Sequence, residues 1–138
     1  MAKWLMKSEA DSYGWDDLVR DGAALWDGVR NPAARLYLRA MMPGDEAFFY
    51  HSGKVRAVVG IMRVTGAAVP DPKDGAWAAV PVAPVRPLLA PVTLTAIKAE
   101  PALAAMELLR QSRLSVSPVR EEEWAAVLAL AAAAPAQS

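Results

Sequence analysis

The chain has 138 residues, 54% of them apolar, with fifteen basic side chains, fifteen acidic ones and no cysteine. That length holds one packed core but not separate substrate and cofactor domains, and the missing thiols exclude disulfides, thiolate catalysis and cysteine-bound zinc. Balanced charge excludes a protein that coats polyanions through its overall field, so any nucleic-acid contact must be local.

Met1 to Lys7 reads as a strand in which Trp4 and Met6 alternate with Lys3, Leu5 and Lys7, turning Trp4 to the core. A short helix follows from Trp15 to Arg20, with Gly14 as cap, Asp16 and Asp17 at the positive end of the dipole, and Gly22 as stop. Asn31 caps a second helix that opens on Pro32 and continues through Leu36, Leu38 and Met41, with Arg35 and Arg39 on one face. After the Pro43-Gly44-Asp45 turn, Ala47 to His51 and Val55 to Val64 pair as a hairpin across Ser52-Gly53-Lys54.

Gly66 to Gly75 reads as a loop, and Trp77 to Val85 as an edge strand because Pro81 and Pro84 interrupt it. Thr93 caps Leu94 to Ala99, and Pro101 starts another turn that runs through Met106 and Leu109. Arg113 to Val119 alternates Leu114 and Val116 with Ser115 and Ser117; Glu121, Glu122 and Glu123 then load the start of a last helix carrying Trp124, Val127, Leu128 and Leu130. With no repeat and no linker, the chain is expected to form one domain over 1–133, with a frayed tail at 134–138 and an α+β fold.

Catalytic readings find no support. His51 and Ser52 are adjacent on a strand and point to opposite faces, so they are not a base and its nucleophile. Gly44, Gly53, Gly60 and Gly66 punctuate strands and form neither a P-loop nor a dinucleotide fingerprint. Asp16 and Asp17 serve a helix start rather than acid–base work. The reading is of a non-enzymatic protein without metal or cofactor. No apolar run reaches the roughly 18 residues of a membrane span and acids come too early for a secretory leader, so the expected location is cytoplasmic.

What remains is a set of polar and aromatic residues at element ends: Lys7-Ser8-Glu9, Trp26 to Asn31, Tyr50-His51-Ser52 and Arg113 to Val116. Such positions carry binding, and each also has a structural reading: Trp26 in the core, His51 bonded within its strand, Asn31 as a cap.

Taken in this order the segments resemble the EVE domain, the fold of the thymocyte nuclear protein family, grouped with PUA, ASCH and YTH modules. The stretches that carry the resemblance are Trp4 to Glu9, Trp26 to Asn31 with Ala34-Arg35, Met42 through Asp45, Phe49 to Ser52, Gly60-Ile61, Ile97-Lys98, and Arg113 to Val116 leading to Glu123-Trp124. The resemblance implies a PUA-like mixed β pseudobarrel with flanking short helices, and a pocket that receives a flipped, modified base, a modified cytosine in DNA. Such a base needs an aromatic wall to replace its stack and polar groups for its edge. Trp26 or Tyr50 fits the wall; Asn31, Ser8 and Ser52 fit the edge; Glu9 fits an exocyclic amine; and Arg30 or Arg35 fits a phosphate at the rim. His51, Arg113 and Ser115 complete the expected site.

Four departures from the family pattern bear on that site. Ala10 replaces a proline after Lys-Ser-Glu, Pro32-Ala33 replaces a tyrosine-glutamine pair, the Asp71 to Trp77 loop is short, and Arg120 stands at a capping threonine's position. The partner expected is nucleic acid with a modified base, DNA before RNA, bound by a monomer. An RNA-binding module, and a protein-interaction domain with a vestigial pocket, are the alternatives.

Overall fold

The computed structural model describes residues 1–133; the tail expected to fray at 134–138 lies outside the described residues. Its strands are β1 (Lys3–Glu9), β2 (Ala24–Trp26), β3 (Glu46–Ser52), β4 (Ala57–Val64), β5 (Val69–Asp71), β6 (Asp74–Thr93) and β7 (Val116–Val119). They form one sheet in the order β2-β6-β4-β3-β1-β7, with β5 added to β6. Among the described residues only β1 and β3 run parallel; the other pairs are antiparallel. The sheet curls into a half-barrel, the PUA-like architecture expected.

Among the described residues, five short helices flank it: α1 (Trp15–Asp21), α2 (Pro32–Ala40), α3 (Leu94–Ala99), α4 (Glu107–Arg110) and α5 (Glu121–Ala133). Because side chains alternate along a strand, the sheet feeds two cores. Trp4, Met6, Phe49, Met62 and Val64 pack with Trp15, Leu18, Ala34 and Leu38 of α1 and α2. Leu5, Phe48, Tyr50, Val58 and Ile61 pack on the other side with Ile97, Leu108, Trp124 and Val127 of the later helices. Leu5, expected opposite the core, is therefore fully buried: the C-terminal helices cover its face.

Proline misleads at β6. The segment read as an edge strand from Trp77 to Val85 is the middle of a 20-residue strand that bonds β2, β4 and β5. Pro84 and Pro87 lie beyond the reach of β2, which covers only Val80 to Val82, so they have a strand neighbour on one side alone and a missing N–H is tolerated there. The stretch 66–75, read as loop, contains β5, and the unexpected β2 places Trp26 opposite Val80. Leu36, read as part of the α2 stripe, is exposed, while Ala34 and Leu38 bury. The run expected from Pro101 through Leu109 is two pieces, a 3-10 turn at Pro101–Leu103 and α4. At α5, Glu123 makes up for Arg120: its carboxylate accepts the Arg120 backbone N–H at 3.0 Å and the guanidinium at 3.1 Å.

Two contacts tie the first core together. The buried Asp45 carboxylate accepts from the Ala2 N–H (3.2 Å), the Trp4 Nε1–H (3.0 Å) and the Met42 N–H (3.0 Å), joining the chain start to β3. Trp15 lies over Gly60, where an added Cβ would come within 2.6 Å of its ring, and meets Phe49 edge-on at 5.6 Å. A third contact docks α1: His51 Nε2 accepts the Trp15 N–H at 3.0 Å. That requires a neutral ring, and burial holds the His51 pKa below its usual value, against a smaller opposing pull from Asp16.

Asp45→Ala strands the buried Trp4 indole donor and two part-buried backbone donors and is expected to cost on the order of 3 kcal/mol, and Gly60→Val about 1–3 kcal/mol by overpacking; urea midpoints measure both. A lowered histidine pKa means the linked stability is full above about pH 6.5 and lost as pH falls through the folded value. The urea midpoint should therefore fall from pH 7.5 to 5.5 by more in the parent protein than in His51→Gln.

Candidate functional site

Where β1 ends, its continuation, the β2–α2 connection and the segment before β7 enclose a cavity of about 440 Å³. Its walls are apolar and aromatic at Tyr13, Ala24, Leu25, Trp26 and Val29, and polar at Lys7, Ser8, Asp27, Asn31 and Ser115. Trp26 is packed edge-on against Phe49 at 5.3 Å, so its ring is a fixed wall. Tyr13 is held by its hydroxyl, which donates to Asp21 at 2.8 Å; burial and then that hydrogen bond push its pKa up to about 12.

The polar groups are only partly committed. Asn31 Oδ1 caps α2 by accepting the Ala34 N–H at 3.0 Å, and its Nδ2 makes no hydrogen bond among the described residues. The Ser8 hydroxyl donates to the Tyr13 carbonyl at 2.6 Å and keeps its lone pairs for an incoming donor. Asp27 is exposed at the wall and forms no ion pair among the described residues.

The connection that carries Asp27 to Arg30 is clamped from the β5–β6 hairpin. Buried Asp71 accepts the Gly28 N–H (2.8 Å) and the Arg30 guanidinium (3.0 Å) on one oxygen and the Lys73 N–H (2.8 Å) on the other. Gly28 sits at φ +76°, a left-handed turn that glycine adopts without strain. Arg30 and the two backbone donors hold the Asp71 carboxyl well below the usual carboxylate range, against its burial, and Asp71 in turn raises the Arg30 pKa. Trp77 of the same hairpin receives Arg30 at 5.7 Å and Arg35 at 4.7 Å over its ring.

Of the residues expected from sequence, the fold brings Ser8, Trp26, Arg30, Asn31 and Ser115 together in this cavity and leaves the others out. The parallel register explains the split: Ser8 pairs with His51, while Lys7 and Glu9 pair with Tyr50 and Ser52 and share the opposite face. Glu9, Tyr50 and Ser52 thus line a second cavity, and His51 is engaged with α1. Arg35 turns to the hairpin, donating to the Ala76 carbonyl at 3.0 Å, and its buried Nε has no partner among the described residues. Arg113 lies in a neighbouring depression that meets the cavity at Asn31.

Sequence reasoning missed Tyr13 and Asp71, and it gave no role to Lys7 or Asp27, although both lay in stretches it singled out. Asp71 gave no signal of its clamp, since Gly28 and Arg30 are 43 and 41 residues away and only its bond from the Lys73 N–H is local.

The EVE domain model matches residues 2–130. Mouse thymocyte nuclear protein 1 is 36% identical over 163 aligned positions, spanning 92% of this chain and 72% of its own. A Rhodopseudomonas palustris protein solved by NMR is 46% identical with a TM-score of 0.91, over 96% of this chain and 94% of that one. The crystal structure of human THYN1 in complex with DNA containing 5-methylcytosine is 33% identical with a TM-score of 0.87, over 95% and 98% of the two chains. The chain belongs to the EVE domain family.

Proposed function

We propose that the protein is a DNA-binding module that holds a flipped 5-methylcytosine in the cavity beside Trp26. The observation that carries this reading is the lining of that cavity: fixed rings and aliphatic carbons on its walls, with uncommitted donors and acceptors at its edge. The similarity to human THYN1, solved with DNA containing 5-methylcytosine, supports it.

A base leaving its stack exchanges those contacts for the faces of Trp26 and Tyr13, and its methyl group meets the aliphatic wall of Ala24, Leu25 and Val29. Asn31 Nδ2 is a donor for the ring nitrogen and carbonyl edge, and Asp27, in the role expected of Glu9, an acceptor for the exocyclic amine. Arg30, anchored on Asp71 yet half-exposed, remains the rim cation. Nothing in this arrangement pairs a nucleophile with a free base, so the reading is of binding without catalysis. Among the described residues no helix is long and apolar enough to cross a membrane. A monomeric single domain over 1–133 acting in the cytoplasm completes the proposal.

Asn31→Ser keeps an oxygen cap for α2 but removes the Nδ2 donors. It is expected to lower affinity for a 5-methylcytosine duplex about 10- to 100-fold, the worth of a good base contact, with thermal stability nearly unchanged. Fluorescence polarisation against methylated and plain duplexes checks this, and unchanged affinity would remove Asn31 from the site. Asp71→Ala frees Gly28 and Arg30 together, and weaker binding to both duplexes is the expected outcome in the same assay.

A further inference from the structure

On the opposite face of the β1–β3 pair lies a second cavity of about 350 Å³, walled by Lys7, Glu9, Tyr50, Ser52, Arg56 and Ser112 among others. It shares Lys7 with the first cavity, so one residue of β1 lines both. Its chemistry differs: four hydrogen-bond donors converge there. Lys7 Nζ donates to the Ser112 carbonyl at 2.8 Å and stands 5.8 Å from the centre of the Tyr50 ring. Arg56 has one long bond, Nε to the Gly53 carbonyl at 3.4 Å, and the Tyr50 and Ser52 hydroxyls make none among the described residues.

Neither Lys7 nor Arg56 forms an ion pair among the described residues, although Glu9 lies on the same wall. Lys7 is half-buried, and both that burial and the Arg56 charge depress its pKa. Two cations kept near each other without a counter-ion repel, and a bound anion relieves the repulsion.

We propose that this second cavity binds a backbone phosphodiester of the DNA strand whose flipped base occupies the first, a role that rests on the function proposed above. Tyr50 and Ser52 then serve as neutral donors to the phosphate oxygens, and Lys7 and Arg56 as its charged partners. Such a contact adds affinity and positions the strand without reading its sequence. Base discrimination stays with the Trp26 cavity.

The test uses two probes on the full chain. The first is a tetramer of abasic deoxyribose phosphate followed by NMR, with inorganic phosphate as the parallel arm. Amide shifts confined to the walls of this cavity, at Lys7, Tyr50, Ser52 and Arg56, with Trp26 unmoved, are expected, the tetramer binding more tightly than phosphate and at least tenfold more weakly in Arg56→Gln. Glu9→Gln should bind it more tightly. Shifts scattered over the surface cations, or phosphate binding as tightly as the tetramer, would overturn the proposal.

The second probe is the pair of methylated and plain duplexes. Arg56→Gln should weaken both equally and lower the slope of log K against log salt by about one, leaving the preference for methylation intact. A parent-like slope would overturn it. If neither duplex binds the parent protein, the flipped-base reading fails, and the tetramer arm then decides for or against the phosphate site on its own.

Discussion

The parallel pairing of β1 with β3, from Lys3 opposite Glu46 to Glu9 opposite Ser52, is the constraint on which the rest of the molecule depends. Both strands are interior, with β7 and β4 outside them, and a packed core covers each face. Their alternation allots Trp4, Met6 and Phe49 to one core and Leu5, Phe48 and Tyr50 to the other. As the strands run out of their cores the same alternation continues with polar residues. It delivers Ser8 to one cavity and Glu9, Tyr50 and Ser52 to the other. One register therefore decides both how the protein is packed and which side chains share a ligand.

Much of the fold could be read from the sequence because its signals are local. Asn31 before Pro32, Thr93 three residues before Ala96, and Gly22 after α1 each act within a helical turn, and each acts as expected. The hairpin of β3 and β4 follows from two β-rich runs and a glycine turn. The misreadings are non-local. Pro81 and Pro84 look like breakers until β2 and β4 are seen to leave them room, and β2, three residues long, exists only because β6 accepts it. The site divides in the same way. Asn31 and Trp26 announced themselves through their neighbours, whereas grouping Ser8 with Glu9 treated adjacency in sequence as adjacency in space.

A neutral chain with local binding is consistent with this geometry. Arg30 and Arg35 are drawn to Trp77 and Asp71 in a small cluster that braces the β2–α2 connection. Their charge is partly consumed in holding structure, so they contribute less long-range field than a count of basic residues implies. The tight turn between Asp71 and Asp74 is accordingly a working part: it brings a buried carboxylate and the Trp77 indole to the same connection from one hairpin.

The last wall of the first cavity is Ser115, whose carbonyl accepts the Lys7 N–H at 2.9 Å just before β7 pairs with β1. Lys3 and Val119, more than a hundred positions apart, are opposite each other in that pairing. Contacts of such sequence separation are entropically costly, because a long loop must be closed before they form. The pocket is thus incomplete until this late segment, far along the chain from β1, has docked. Occupancy of the pocket is a sign of completed folding, and a tightly bound strand would hold the two distant ends of the domain together by mass action.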